Sequence, residues 1–332
     1  MAVQDAQMFA DVERGNDLAT KLYPENAIKT STMPTAEAKA AGYKHDLHGA
    51  VEQHGAGALW PYRLVTKLFA ELLERYSSRF SLETNTPALS IDFVGGDDAQ
   101  YHIITPRGTI HTKKIVHCTN GFTGHLLPRL VGAIYPFRGT MSVQEPGPEF
   151  SRLGDRISWS WLRKPTFDAD TQVFSTGLYY AQQNAHTGKL FIGGERQKIA
   201  DMLSSDDSVV ADEARESLLC VLPQLLNNVE PVGEQTVWSG IMGFSSDGLP
   251  LAGKLEESVT NRGGDGEWIA AGFNGHGMDK CWLTGVAVAQ MVIGQPETVG
   301  LPAAFLLTPE RRKRLGLEQS VEYWLQTLSQ SA

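Results

Sequence analysis

The residues Asn274-Gly-His-Gly277 stand between a short apolar run, Trp268-Ile-Ala-Ala-Gly-Phe273, and a stretch of small and apolar residues from Met278 to Gly294. This order predicts a buried strand, a tight turn and a helix. Gly275 and Gly277 can take backbone angles that a side chain forbids. The free N–H groups of a first helical turn point at whatever lies beyond it. Such a site suits a phosphate, a carboxylate, or the carbonyl edge of a conjugated ring that gains negative charge on reduction. Gly285, Ala287 and Ala289 would let the helix lie close on the strand. The other reading is a plain strand-to-helix connection whose glycines only turn the chain, with His276 packed in the turn rather than bonded to a ligand.

Other chemistries find less support. His45, His48, His54, His111 and His117 show no converging ligand spacing, so no metal site is expected. No Gly-x-Ser-x-Gly elbow follows a strand, and Ser239-Gly240 has the wrong neighbours for a hydrolase nucleophile. The formal net charge of −9 argues against nucleic-acid binding, which rests on neutralising phosphates. The basic run Arg311-Arg312-Lys313-Arg314 reads as a solvated helix face. Cys118, Cys220 and Cys281 are scattered and odd in number, which fits a reducing compartment. No secretory signal is visible at the N-terminus, and the C-terminal Gln-Ser-Ala is not a peroxisomal address. The apolar stretch Trp282 to Ile293 is too short for a bilayer. The expectation is a cytoplasmic protein.

The elements that must position the turn can be read from periodicity. A surface helix is expected over 4–21 and a short one over Thr35 to Ala40, inside an otherwise polar, Gly-containing stretch from 24 to 57. Tyr62, Val65, Leu68, Phe69, Leu72 and Leu73 recur at three and four residues, predicting an amphipathic helix from 61 to 77 with Pro61 in its first turn. Strand-like pieces follow at Phe80 to Thr84, Leu89 to Val94, Tyr101 to Thr105 and Thr109 to Cys118. Gly95-Gly96-Asp97-Asp98 and Pro106-Arg107-Gly108 mark turns between them. Further strands are expected at Tyr135 to Val143, Val173 to Ala181, Leu190 to Gly194 and Thr236 to Gly240, and a helix at 206–228. The mixture gives an α+β, or mixed α/β, architecture.

Four blocks carry a resemblance. They are Gly55-Ala-Gly-Ala-Leu-Trp-Pro-Tyr-Arg-Leu64, Ile115-Val-His-Cys-Thr-Asn-Gly-Phe-Thr-Gly-His-Leu-Leu-Pro128, Trp238-Ser-Gly-Ile-Met-Gly-Phe-Ser-Ser-Asp-Gly-Leu-Pro-Leu-Ala-Gly253 and Ala271-Gly-Phe-Asn-Gly-His-Gly-Met278. In order and spacing, from about residue 43 to about 310, they resemble the FAD-dependent oxidoreductases that include D-amino-acid oxidase, glycine oxidase and sarcosine oxidase, in particular the fungal members. The resemblance implies a discontinuous Rossmann-like FAD-binding domain with a β-meander, over 65–129 and 236–310. It also implies a substrate domain with a mixed sheet, over 43–64 and 130–235. An N-terminal helix and loop (1–42) and a C-terminal helix (311–332) flank them. It further implies oxidation of a C–N bond in a small amine or amino acid, with dioxygen as acceptor.

By position, the resemblance places Thr119, Asn120 and Gly121 where a meander strand meets FAD. Asp247, Gly248 and Leu249 fall in the loop before the final cofactor strand. Asn274, Gly275, His276, Gly277 and Met278 form the turn at the flavin pyrimidine edge. Trp60, Tyr62, Arg138 and Trp238 are candidates to line a substrate pocket, each with core packing or a surface partner as its alternative. Arg138 would pair with a substrate carboxylate or with a surface acid. No catalytic acid or base is assigned.

The family's opening strand, Gly-x-Gly-x-x-Gly turn and helix, which cradle the FAD diphosphate, have no counterpart here. Gly55-Ala-Gly-Ala-Leu-Trp lacks the third glycine. The expectation is therefore a shortened relative, weak in binding FAD alone. The alternatives are a non-catalytic truncated paralogue, or one half of a split enzyme completed by a partner chain.

Overall fold

The computed structural model describes residues 1–24, 30–40, 42–44, 47–96, 100–295 and 300–332, apart from the side chains of Lys39, Ala40 and Glu195. His45 and part of the expected turn at Gly95-Gly96-Asp97-Asp98 lie outside the described residues. In chain order the elements are β1 (Ala2–Val3), α1 (Ala6–Leu22), β2 (Thr30–Met33), α2 (Thr35–Ala40), β3 (Gly49–Gln53), α3 (Pro61–Arg75), β4 (Ser90–Phe93), β5 (Tyr101–Thr105), β6 (Gly108–Thr112), β7 (Ile115–His117) and α4 (Thr123–Leu126). Then come β8 (Ile134–Glu145), β9 (Ser158–Leu162), β10 (Thr166–Asp168), β11 (Val173–Gln183), β12 (Leu190–Lys198), α5 (Ile199–Met202), α6 (Asp212–Leu225) and β13 (Val232–Ser245). The chain closes with β14 (Leu251–Lys254), α7 (Glu257–Thr260), β15 (Glu267–Ala271), α8 (Cys281–Ile293), α9 (Pro309–Arg312) and α10 (Leu317–Ser331). The architecture is mixed α/β, as expected.

Two compact units divide the chain. Unit 1 comprises Met1–Leu59, Arg138–Gly240 and Thr327–Ala332; unit 2 comprises Trp60–Phe137 and Ile241–Gln326.

Unit 1 is organised by a mixed sheet of order β13-β8-β12-β11-β9-β1-β3-β2, with β10 against β11. The helix α6 packs on β12. Its Leu218, Leu222 and Leu225 bury against Trp161, Leu190 and Ile192. Side chains alternate faces along a strand, and β8 uses this unusually. Arg138, Thr140, Ser142 and Gln144 all point to one face and all are buried. Gln144 Nε2 donates to the Leu218 carbonyl of α6 at 2.8 Å and to Ser142 Oγ at 2.9 Å.

Two expectations about unit 1 are corrected. The polar stretch 24–57 holds two strands besides α2: β3 pairs with both β2 and β1, with Val51 opposite Thr32 and Ala50 opposite Ala2. Backbone pairing rather than apolar content makes these strands. The helix expected over 206–228 starts only at Asp212, because the Asp206 carboxylate accepts from Ser208 N (2.9 Å) and Oγ (2.6 Å) and so closes a local turn instead.

Unit 2 contains the antiparallel meander β4-β5-β6 and a separate sheet of order β14-β15-β7, in which β7 runs parallel to β15. The stretch Thr109 to Cys118, expected as one strand, is two. Thr112 Oγ1 donates to the Lys114 carbonyl (3.0 Å) and accepts its amide (3.3 Å), and this bend sends β6 to β5 and β7 to β15. The strand expected at Phe80 to Thr84 is absent. Phe80 instead folds back on α3, its amide bonded to Tyr76 O and its ring stacked on Phe69 at 6.2 Å. Leu127, Leu130, Ile134, Leu251, Ile269 and Ala271 form the core of this unit. The helix α3 forms as its periodicity predicts, with Pro61 in its first turn, yet none of its residues is buried.

Candidate functional site

Three segments of unit 2 converge at the C-terminal ends of β7 and β15. After β7 the chain reaches Asn120 at φ 42°, a left-handed conformation that Asn adopts more readily than most residues. Asn120 Oδ1 accepts the Gly272 amide at 3.0 Å, and its carbonyl accepts from Thr123 Oγ1 at 2.7 Å. A Cβ on Gly121 would fall 2.6 Å from the Met242 carbonyl oxygen, and one on Gly243 would fall 2.5 Å from Asn120 Oδ1. The two glycines thus let segment 119–121 and the end of β13 touch backbone to backbone.

The third segment is the turn after β15. Asn274 also sits at positive φ, 54°. Its amide donates to the Gly243 carbonyl at 2.8 Å, its Oδ1 accepts the Ser245 amide at 2.8 Å, and its Nδ2 donates to the Gly272 carbonyl at 2.6 Å. His276 Nδ1 donates to the Asn274 carbonyl at 2.8 Å, which ties the imidazole to its own turn. Gly275 has φ 74° and is exposed, as is Met278. Among the described residues the amides of Gly275, Gly277 and Met278 have no hydrogen-bond partner. A rigid, exposed turn with free donors is the chemistry that holds a carbonyl or anionic edge.

The loop Asp247-Gly248-Leu249 is held from below by a residue whose type pointed elsewhere. Arg311, read from sequence as part of a solvated basic face, is buried at 5% exposure. Its Nε and Nη2 pair with the two Asp247 oxygens at 2.8 and 3.0 Å. Its remaining donors bond the carbonyls of Leu249, Pro250 and Phe305. All five guanidinium N–H groups are used. Burial pushes the Asp247 carboxyl up, but the hydrogen bonds and charge of Arg311 outweigh it and hold the group below the usual carboxylate value.

Beneath the converged strand ends lies a buried ionic network. His117 of β7 bonds Glu267 of β15 at 2.8 Å, and Arg262 grips the same carboxylate through Nε at 2.9 Å and Nη2 at 2.7 Å. Arg262 Nη1 also bonds the Leu126 carbonyl. Burial raises the Glu267 carboxyl, and the bonds from Arg262 and His117 pull it down further than burial lifts it.

The four pocket candidates fall in different places. Trp60 and Tyr62 stand exposed at the start of α3, in unit 2, at 47% and 76% exposure. Arg138 and Trp238 belong to unit 1. Arg138 is buried, with Nη2 on Asp201 Oδ1 and Nη1 on the Asp206 carbonyl, both at 3.1 Å, so of its two alternatives the acid is the partner present. Trp238 is 39% exposed and meets Phe191 edge-on at 6.3 Å.

Sequence reasoning missed Gly243 and Ser245, although both lie in a quoted block. Ser245 Oγ donates to the Leu249 carbonyl at 2.8 Å and so joins the loop to the turn. Among the described residues no group of three or more His, Cys, Asp or Glu side chains could hold a metal ion, and no helix is long and apolar enough to cross a membrane.

Comparison with known proteins shows what the chain and its fold are similar to. The family model described as FAD dependent oxidoreductase matches residues 4–291. Glycine oxidase from Geobacillus kaustophilus superposes with a TM-score of 0.69 at 21% identity, covering 93% of this chain and 73% of that one. L-proline dehydrogenase from P. horikoshii gives 0.64 at 18% identity, covering 90% and 73%. Glycine oxidase from Bacillus cereus gives 0.62 at 17%, covering 89% and 74%. At these identities the likeness is one of fold. No curated protein sequence matches the chain. The family match over most of the chain settles its membership: it belongs to the FAD dependent oxidoreductases.

Proposed function

We propose that the chain oxidises the C–N bond of a small amine or amino acid with bound FAD, dioxygen being the acceptor. The observation that carries this reading is the convergence of segments 119–121, 242–249 and 272–278, which leaves the amides of Gly275, Gly277 and Met278 unpaired on a fixed turn. When bound, the flavin supplies the hydride-accepting ring. The chain's own part at this site is to fix that ring and to meet, with backbone donors, the edge where negative charge collects. Asn120 and Asn274 serve by locking the three segments to one another, since their side chains are spent on backbone groups. In this reading unit 2 is the cofactor unit, and unit 1, with Trp238 on its sheet, takes the substrate.

The residues present fit the flavin ring but not its diphosphate, for which no Gly-x-Gly-x-x-Gly turn occurs. A second reading is supported by two features of unit 2. The strand β7 is at a sheet edge, and α3 buries none of its residues, with Leu64, Val65 and Leu73 more than 40% exposed. Unpaired edges and apolar helix faces call for a cover. In that reading polypeptide beyond these residues, in the same or a partner chain, completes the diphosphate cradle.

The test is the visible spectrum of the purified chain after gel filtration, with and without added FAD, followed by addition of amines under argon. Because the diphosphate has no cradle here, little flavin is expected to survive gel filtration, and flavin supplied in excess should bleach with an amine and yield hydrogen peroxide on aeration. Supplied flavin that no amine or amino acid reduces in the presence of the chain would remove the proposed activity. FAD lost on gel filtration and regained with a supplied strand–Gly-x-Gly-x-x-Gly–helix segment would favour the second reading.

A further inference from the structure

The sheet of unit 1 has one face closed by α6 and one that remains half open. On the open face, cross-strand partners line up in rows. Ser160, Tyr180, Gly193 and Met141 are direct neighbours across β9, β11, β12 and β8, and Gln182, Phe191 and Val143 form the adjacent row. A Cβ on Gly193 would collide with Met141 Sδ and the Tyr180 ring, so these two side chains lean together over the glycine. Trp238 touches Phe191 edge-on and therefore stands on the same face. Tyr180 and Trp238 are still 38% and 39% exposed.

The charges on this face are one-sided. Following the alternation of side chains, none of β8, β9, β11, β12 and β13 places a Lys, Arg or His on the face with these rows among the described residues; His54 and Arg156 line a cavity with Ser160 and Gln182 at the β9 side. Glu234 does share it, two alternations from Trp238 on β13, and is exposed. Arg138 lies on the other face with Thr140, Ser142 and Gln144, and its charge is met by Asp201.

We infer that this face selects an amine that carries an apolar or aromatic arm and no carboxylate. The inference deepens the proposed function and rests on its assignment of unit 1 to the substrate. Aromatic ring faces attract an ammonium group, and Glu234 adds to that attraction. A substrate carboxylate would be taken from water at the Trp238 end with no cation of these strands to meet it, since His54 and Arg156 stand at the far, β9 side of the sheet.

The experiment titrates the full chain with N-methylbenzylamine and, separately, with N-methylphenylglycine, which adds a carboxylate to the same skeleton. Binding is read by calorimetry and by tryptophan fluorescence, and folding of each variant is checked by circular dichroism. The amine is expected to bind at least about tenfold more tightly than its carboxylated counterpart, a difference of roughly 1.4 kcal/mol. Trp238→Ala should weaken the amine several-fold, Trp238→Phe should restore most of it, and Glu234→Gln should narrow the preference. Equal or tighter binding of N-methylphenylglycine, binding of neither compound, or an effect of Trp238→Ala that Trp238→Phe does not reverse would overturn the inference. The outcomes separate from those of the flavin test: a chain that retains reducible flavin but prefers the carboxylate keeps the proposed function and loses this one. A chain that binds the amine but never FAD does the reverse.

Discussion

At the scale of single residues, the converging segments of unit 2 are held to one another by side chains bonded to backbone. Asn120 Oδ1 accepts the Gly272 amide and Asn274 Oδ1 the Ser245 amide, while Asn274 Nδ2 bonds the Gly272 carbonyl of its own turn; in the proposed function this leaves the contact with a cofactor to the main chain. Arg311 shows the same economy one layer down. It is the first of four basic residues, and composition alone assigns such a run to solvent, because nothing in the sequence marks which of the four turns inward. The structure turns Arg311 in and gives it two carboxylate bonds and three carbonyl bonds. Truncating one partner of a buried pair leaves the other charged and unpaired. Arg311→Ala should therefore lower stability by about 3 kcal/mol, the lower end of the usual range because Asp247 keeps some access to water. Arg312→Ala, whose side chain among the described residues bonds only the Leu315 and Arg129 carbonyls, should cost less. Urea denaturation of the two variants checks the contrast, and equal losses would show that the Asp247 pair contributes nothing special.

At the scale of elements, long periodic segments were legible and short or polar ones were not. The spacing of Tyr62, Val65, Leu68 and Leu72 gave α3 to within two residues, and the apolar run Trp268 to Phe273 gave β15. Strands β2 and β3 carry little apolar content, so only their pairing reveals them. The split between β6 and β7 depends on one Thr112 side chain bonding its own backbone, which no pattern of hydrophobicity records. For the proposed site, the resemblance pointed to segments 119–121 and 274–278 and to the loop at 247, which the structure brings together. It could not show that Ser245 and Gly243 join them, because those contacts span residues remote in sequence. The parallel pair β7–β15, which carries the first two of these segments, is further tied by His117, Glu267 and Arg262. Since the Glu267 carboxyl is held below its ordinary value in the folded chain, its contribution is complete above about pH 4.3, the unfolded glutamate value. That contribution drains away as pH falls through the lower folded value. Glu267→Gln should lower stability at neutral pH and flatten its decline below about pH 4.3. Urea midpoints measured from pH 3 to 7 decide it, and a variant with the same acid slope as the parent would discharge Glu267 from this role.

At the scale of the whole molecule, the path of the chain links the two units through regular elements. The chain passes between them four times, and three of those passages lie inside regular elements: β8 at Phe137 and Arg138, β13 at Gly240 and Ile241, and α10 at Gln326 and Thr327. Separate domains are ordinarily joined by exposed linkers that can let one unfold without the other. Here, unfolding either unit alone would have to end two strands and a helix in mid-course, with the loss of the backbone bonds that continue them. The units should therefore unfold together. Arg311 and Asp247 both lie in unit 2, so Arg311→Ala gives a local perturbation whose spread can be followed. Under conditions where exchange reports global opening, native-state hydrogen exchange should accelerate by the same factor at β15, in unit 2, and at β12, beneath α6 in unit 1. Buried reporters exist in both, Trp159 and Trp161 in unit 1 and Trp268 in unit 2, so thermal unfolding followed by fluorescence should also give one transition. Faster exchange confined to β15, with β12 unchanged, would show that the strands running through the boundary do not couple the two units.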